Sequence, residues 1–226
     1  MSLRSITASL LLLAVPVLCA NSTRCSPESI TAPGLPTIFG AQILSVSTES
    51  ITSFQNQTGN DVCLVTVSTT HPGTADRLNN FVALPVNGWT GVFQGIGGGG
   101  FRAGDIDQAA AQTKLGYSTA WTDAGLGNSS ESDASAWALL STGNVNQTAL
   151  LNFARRSLHD MTTIGKAVSH SFYGQAPKHS YWNGCSTGGR QGLTMAQYYP
   201  EDYDGILADA PAIQWNDFTP SVPPPT

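Results

Sequence analysis

The residues best suited to chemistry lie in Tyr181-Trp182-Asn183-Gly184-Cys185-Ser186-Thr187-Gly188-Gly189-Arg190-Gln191. Within them, Gly184-x-Ser186-x-Gly188 is the pattern of a nucleophile elbow, a sharp strand-to-helix turn with one serine at its tip. The chemistry it suits is acyl transfer. The hydroxyl attacks a carbonyl carbon, and nearby backbone N–H groups hold the negative charge that develops on the oxygen. Neighbours of such a serine must be small, and Gly184 and Gly188 meet that demand. A short Gly/Ser-rich turn can match the pattern by chance, so the strand-turn-helix context has to decide. Tyr181-Trp182 can end a strand. Gln191 to Tyr198 can form a helix that Pro200 stops. Tyr203 to Pro211 then reads as a short buried strand that completes a β-α-β unit.

A second candidate is Gly95-Ile96-Gly97-Gly98-Gly99-Gly100-Phe101. It reads as a plain flexible loop, as a dinucleotide-binding turn or as an oxyanion loop. Gly95, Gly97 and Gly100 formally match G-x-G-x-x-G, but that motif needs a helix opening there and an acidic residue about 20 positions on. Residues 114–117 carry none, and Asp123 comes late. The oxyanion reading is favoured, with a Gly98 or Gly99 N–H and the Thr187 N–H as donors. Each well-placed donor contributes about 3 kcal/mol to such a transition state.

A serine nucleophile needs a histidine base and a carboxylate to orient it, in the chain order Ser, Asp or Glu, His for this type of elbow. Glu201, Asp202, Asp204, Asp209 and Asp217 follow Ser186, but no histidine does. His71, His159, His170 and His179 all precede it, are scattered without metal-ligand spacing, and read as surface or helix-face residues. His179 is seven residues upstream of Ser186, across the same strand or on its entry loop, too far from the elbow tip at about 3.3 Å per residue.

The elements that must position these groups follow from pattern. Ser26 to Gly40 is rich in Pro, Gly, Ser and Thr and reads as an extended arm. Strands are predicted at Ala41–Val46, Val62–Val67, Asn79–Pro85 and Trp89–Gln94, so the first 100 residues read mostly as a β meander. Ala109 to Gln112 reads as a helix ending near Gly116, and Tyr117–Trp121 as a strand. Met161, Ile164, Val168 and Phe172 recur at helical spacing within Ala149–Phe172. Asp160 is a candidate cap for the second part of that helix, and Gly174 with Pro177 its stop. The tail from Ser221 to Thr226 is too proline-rich for a helix or a central strand.

The chain has 226 residues, a formal net charge of -5 and 11% charged residues. That length suffices for one sizeable core. No Lys/Arg cluster exists, which argues against nucleic acid as a partner, and no apolar run beyond the N-terminus is long enough for a membrane span. Arg4 followed by the apolar run Ala8–Ala20 reads as a secretory signal over residues 1–20, with cleavage near Ala20. Pro16 and the polar run from Asn21 argue against a buried helix. Sequons at Asn21, Asn56, Asn128 and Asn146 fit a secreted glycoprotein. With Cys19 removed, Cys25, Cys63 and Cys185 remain, an odd number for an oxidising compartment. Cys25 with Cys63 is the natural disulfide, which leaves Cys185 unpaired beside Ser186.

The run Gly184-Cys185-Ser186-Thr187-Gly188-Gly189-Arg190-Gln191-Gly192, then Ala196-Gln197-Tyr198-Tyr199-Pro200 and Asp204-Gly205-Ile206, resembles the fungal tannase and feruloyl esterase family. A cysteine directly before the nucleophile marks that family. The resemblance runs from about Phe81 to Trp215 and includes the glycine-rich loop and Arg156-Ser157-Leu158-His159 to Lys166. Thr122-Asp123-Ala124-Gly125 also resembles a family loop, which there continues with histidine where this chain has Leu126.

The resemblance implies an α/β-hydrolase fold with a β-rich N-terminal region, over residues 21–226 and incomplete at the C-terminus. It implies Ser186 as nucleophile, Cys185 as a structural residue, and a downstream His-Cys pair whose cysteine bonds to Cys185. It also implies a downstream acidic residue and a lid domain that holds calcium; no cofactor or metal is expected in this chain. The simplest account of the missing histidine and cysteine is the N-terminal part of a longer secreted esterase. Feruloyl esters of plant cell-wall polysaccharide are the first expectation for its substrate, galloyl esters the second. The alternative is a catalytically inactive secreted fragment or binding protein.

Overall fold

The computed structural model describes residues 24–127 and 133–217. The leader expected over residues 1–20, the sequons at Asn21 and Asn128, and the tail from Ser221 lie outside the described residues. The strands are β1 (Gln42–Ile51), β2 (Val62–Thr70), β3 (Leu78–Pro85), β4 (Val92–Ile96), β5 (Ser118–Thr122), β6 (Leu139–Ser141), β7 (Asn144–Val145), β8 (His179–Cys185) and β9 (Gly205–Asp209). The helices are α1 (Pro27–Thr31), α2 (Ile106–Thr113), α3 (Ser135–Ala138), α4 (Gln147–Leu151), α5 (Ser157–Tyr173) and α6 (Thr187–Tyr198).

Seven strands form one sheet in the order β1-β2-β3-β5-β4-β8-β9, and β6 and β7 make a separate hairpin. β1, β2, β3 and β5 pair antiparallel in turn, while β5, β4, β8 and β9 are parallel neighbours. The meander expected over the first hundred residues therefore stops at β3. β4 leaves it and inserts between β5 and β8, where the crossover helices α2 and α5 allow parallel pairing. With β9 added, this is the α/β-hydrolase type of mixed sheet.

The strands are two-faced because successive side chains point to opposite sides. Cys63, Val65 and Val67 of β2 join Val82, Phe93 and Trp182 on the face covered by α1, α5 and α6. Val62, Ala83, Ile96 and Trp121 point the other way, toward Ala109 and Ala110 of α2. Met161, Ile164 and Val168 are fully buried and Phe172 is buried, as their spacing predicted, and Leu158 joins them. Each such side chain contributes about 1.5–3 kcal/mol when taken out of water. Gly165 lets α5 lie close on the sheet, since a Cβ there would sit 2.7 Å from the Phe93 ring.

Several local expectations are corrected. The extended arm contains α1, which Ser26 caps by accepting from the Ser29 N–H. The long helix is broken by a π turn at Asn152–Arg156. The strand after α6 is not buried: α2 covers β3, β4 and β5 but not β9, so Leu207 is 59% exposed. Asp160 caps nothing. It sits inside the first turn of α5, almost fully buried, and faces a histidine.

That histidine is His71, which is 3% exposed rather than on the surface. Its Nδ1 lies 2.7 Å from Asp76 Oδ2 and its Nε2 lies 2.8 Å from Asp160 Oδ2. Asn152 and Arg156 also donate to Asp76. The cluster ties the β2–β3 loop to the start of α5. Burial pushes the Asp76 carboxyl up, but hydrogen bonds from Asn152, the His71 N–H, Thr74 and the His71 ring outweigh it and hold the group far below its ordinary value. Burial raises Asp160, and His71 only partly offsets this.

The Cys25–Cys63 disulfide pins α1 and its arm to β2 across a separation of 38 residues. A loop of that length corresponds to about 4 kcal/mol of unfolded-state entropy.

Two outcomes follow from the His71 cluster. His71→Ala leaves two buried carboxylates facing an emptied site, and urea unfolding should show a loss of about 3–5 kcal/mol. Asp76, depressed in the folded state, contributes stability that is present above the ordinary Asp value of about 3.9 and is lost as pH falls. The urea midpoint should therefore fall on acidification through that range, and Asp76→Asn should flatten this slope.

Candidate active site

β8 ends at Cys185 and α6 begins at Thr187, so Ser186 alone makes the turn. The helix thus starts four residues earlier than expected from Gln191. Ser186 has φ 59° and ψ -115°, a conformation that a residue with a Cβ adopts only when its surroundings impose it. Its N–H donates to the Asp209 carbonyl at 3.1 Å, and its own carbonyl accepts from the Ala212 N–H at 2.9 Å. The side chain is exposed, and its hydroxyl has no hydrogen-bond partner among the described residues. Gly184 is required by space. A Cβ there would stand 2.4 Å from the Gly188 carbonyl group.

The glycine-rich loop leaves β4 and lies directly on this turn. The Gly97 N–H donates to Asn183 O at 3.0 Å, and the Gly188 N–H donates to Gly98 O at 2.8 Å. The Thr187 hydroxyl donates to Gly100 O at 2.6 Å. No helix opens on the glycine run, since α2 begins only at Ile106 behind its Asp105 cap. That arrangement does not fit the dinucleotide-binding motif.

Of the two loop N–H groups named as oxyanion donors, Gly98 is corrected. Its N–H is buried and donates to the Gln191 Oε1 at 2.9 Å. Gly99 and Thr187 keep N–H groups without partners among the described residues. The Thr187 N–H also lies in the first turn of α6, where the helix dipole favours negative charge.

Arg190 is a further residue that the motif contained but spacing could not interpret. Its guanidinium donates to the carbonyls of Ala154 and Phe153, in the π turn, and lies over the Phe153 and Trp215 rings. Burial lowers it to about 10. Phe101, Trp137, Phe153 and Trp215 form an aromatic cluster beside the loop. Leu126 is buried in the same cluster. The Asp123 carboxylate accepts from the Asn79 N–H and side-chain amide, so this loop braces β3.

None of the histidines is brought to Ser186. His159 pairs with Asp202 at 2.8 Å and stacks on Tyr199, at the opposite end of α6. The hydrogen bond to Asp202 raises His159, against burial. Twelve helical residues separate Tyr199 from Ser186, about 18 Å. His179 begins β8, whose other end carries the turn. His71 leaves β2, four strands away in the sheet order, about 19 Å. Asp204 accepts from the Ser180 N–H. Cys185 is exposed and free. Of the sequons, Asn56 is exposed in a turn, and the Asn146 side chain caps α4. Among the described residues no group of three or more His, Cys, Asp or Glu could hold a metal ion, and no helix is long and apolar enough to cross a membrane.

Comparison with known proteins agrees with this geometry. The family described as tannase and feruloyl esterase matches residues 63–220. A probable feruloyl esterase of Arthroderma benhamiae is 42% identical over 235 residues, covering 96% of this chain and 43% of that protein. A tannase of Aspergillus oryzae is 35% identical over 160 residues, covering 69% of this chain and 26% of its own length. Among solved structures, tannin acyl hydrolase from Aspergillus niger superposes with a TM-score of 0.75 at 28% identity, over 86% of this chain and 38% of that one. Feruloyl esterase B from Aspergillus oryzae gives 0.66 at 27% identity, over the same shares. The chain therefore spans less than half the length of these relatives. With the family match extending over well beyond half of the sequence and the strained serine turn at its centre, this chain belongs to the tannase and feruloyl esterase family.

Proposed function

We propose that this chain carries the nucleophile half of a secreted serine carboxylic ester hydrolase that acts on phenolic acid esters. The observation that carries the reading is Ser186. Its hydroxyl is exposed at a positive-φ turn, the Thr187 N–H adjoins it, and neither that N–H nor the Gly99 N–H of the neighbouring loop has a partner among the described residues. Ser186 would attack the ester carbonyl, and those two N–H groups would hold the developing oxyanion. The alcohol would leave as its bond to the acyl carbon breaks, and water would then hydrolyse the acyl-serine to the free acid and Ser186.

A histidine base and its carboxylate are still needed, and no histidine follows Ser186 in the 226 residues. They are proposed to come from a segment beyond this sequence, with a cysteine that pairs with Cys185 and a lid that holds calcium. Feruloyl esters of plant cell-wall polysaccharide are the first choice of substrate, since a probable feruloyl esterase is the relative with 42% identity. Galloyl esters are the second, since a relative named tannase is also found. Export rests on the leader, the sequons and the Cys25–Cys63 disulfide. The second reading, an inactive secreted fragment or binding protein, is favoured by the missing base alone.

The test is turnover of methyl ferulate and methyl gallate by the naturally secreted protein, with its intact mass after deglycosylation. A protein longer than 226 residues should hydrolyse the ferulate ester faster, and Ser186→Ala should lower kcat by about 10⁴-fold or more. A protein that ends at Thr226, with equal background rates for wild type and Ser186→Ala, establishes the non-enzymatic reading instead. Alkylation of the native protein with peptide mapping gives an independent check. A chain ending at Thr226 should be labelled at Cys185 and not at Cys25 or Cys63. A longer protein should be protected at all three.

A further inference from the structure

Gln191 is fully buried, yet it lies on a helix whose exposed residues include Leu193 and Tyr198. Both ends of its side-chain amide are used, and both go to the glycine-rich loop. Oε1 accepts from the Gly98 N–H at 2.9 Å, and Nε2 donates to the Ala103 carbonyl at 3.0 Å. The two contacts are 93 and 88 residues away in sequence and bracket residues 98–103.

A loop so rich in glycine has the largest backbone entropy to lose on ordering. Two other contacts fix its near end: the Gly98 carbonyl accepts from the Gly188 N–H, and the Gly100 carbonyl from the Thr187 hydroxyl. None of these fixes the plane of the peptide that carries the Gly98 N–H, or the return of the chain at Ala103. The amide of Gln191 does both with one rigid planar group. A buried amide with both ends satisfied is also costly to misplace, because an unmade bond there loses about 1–3 kcal/mol.

We propose that Gln191 is a positioning residue for the oxyanion loop. It removes the Gly98 N–H from the site and clamps residues 98–103, the stretch that carries the Gly99 N–H, against α6. It touches no reacting atom. Its effect passes through the loop, and a displacement of about 1 Å at such a donor can cost about 10²-fold in rate. The proposal rests on the esterase reading for its kinetic consequence but not for its structural one.

Two measurements separate them. The first is amide hydrogen exchange at Gly98 in this chain. Gly98 should be protected in the wild type and in Ser186→Ala. It should exchange at least about tenfold faster in Gln191→Met, which keeps the shape but neither bond, while amides of β4 and α5 hold their protection. Gln191→Glu keeps an acceptor for Gly98 and should restore most of that protection. The second is ester turnover by the secreted enzyme. Gln191→Met should lower kcat by about 10–10²-fold with KM within about twofold, and Gln191→Glu should recover part of the loss. Unchanged exchange at Gly98 in Gln191→Met overturns the clamp. Faster exchange with unchanged kcat overturns its role in positioning. Absence of any Ser186-dependent turnover removes the esterase reading, and the exchange result then decides the clamp alone.

Discussion

The whole arrangement depends on one unfavourable backbone conformation. Ser186 stands at positive φ between a strand and a helix with no intervening residue. Local preference does not put a serine there, so surrounding contacts must. They come from three directions. Asp209, at the end of β9, and Ala212, just after it, hold the peptide groups on either side of Ser186. Trp182 reaches forward from β8 and donates to the Gly188 carbonyl at 2.9 Å. The glycine loop after β4 closes the third side. The strand order places β8 between β4 and β9, all parallel, so the supports converge at the carboxyl end of the sheet.

Glycine is used here for closeness more than for freedom. At Gly184 and Gly97 a Cβ would run into the backbone of Gly188 at 2.4 Å and 2.5 Å. The strand end, the loop and the first turn of α6 therefore meet backbone to backbone, with short hydrogen bonds in place of side-chain packing. Side chains contribute only where they carry a polar group inward, as Gln191 does on one face of α6 and Arg190 on another. Arg190 also joins α6 to the π turn before α5, where the carbonyls of Phe153 and Ala154 accept from its guanidinium. Loosened helical turns of this kind often occur where a helix meets a functional site.

Far from that turn, the His71 cluster gives a similar solution to a different problem. Three polar side chains that would each be costly to bury alone are buried together, and the β2–β3 loop is fastened to α5 as a result. The cluster shares the ingredients of a catalytic histidine with its carboxylate, but it lies four strands from Ser186. Carboxylate pairing alone therefore does not identify a base; the distance across the sheet excludes it.

The amino-acid order by itself determined the elbow, the Cys25–Cys63 pair, the apolar stripe of α5 and the type of β2, β3 and β5, because each depends on residues close in sequence or on a composition with few alternatives. Family membership was equally legible, since Gly184 to Gly192 is a long and specific motif. Tertiary structure alone decided where β4 goes, because pairing across the sheet depends on crossovers and not on strand composition. It alone buried His71 against Asp160, 89 residues away, and it exposed Leu207 by leaving β9 uncovered. It also decided between Gly98 and Gly99: both are glycine with an N–H, and only the approach of Gln191 from another helix consumes one and leaves the other.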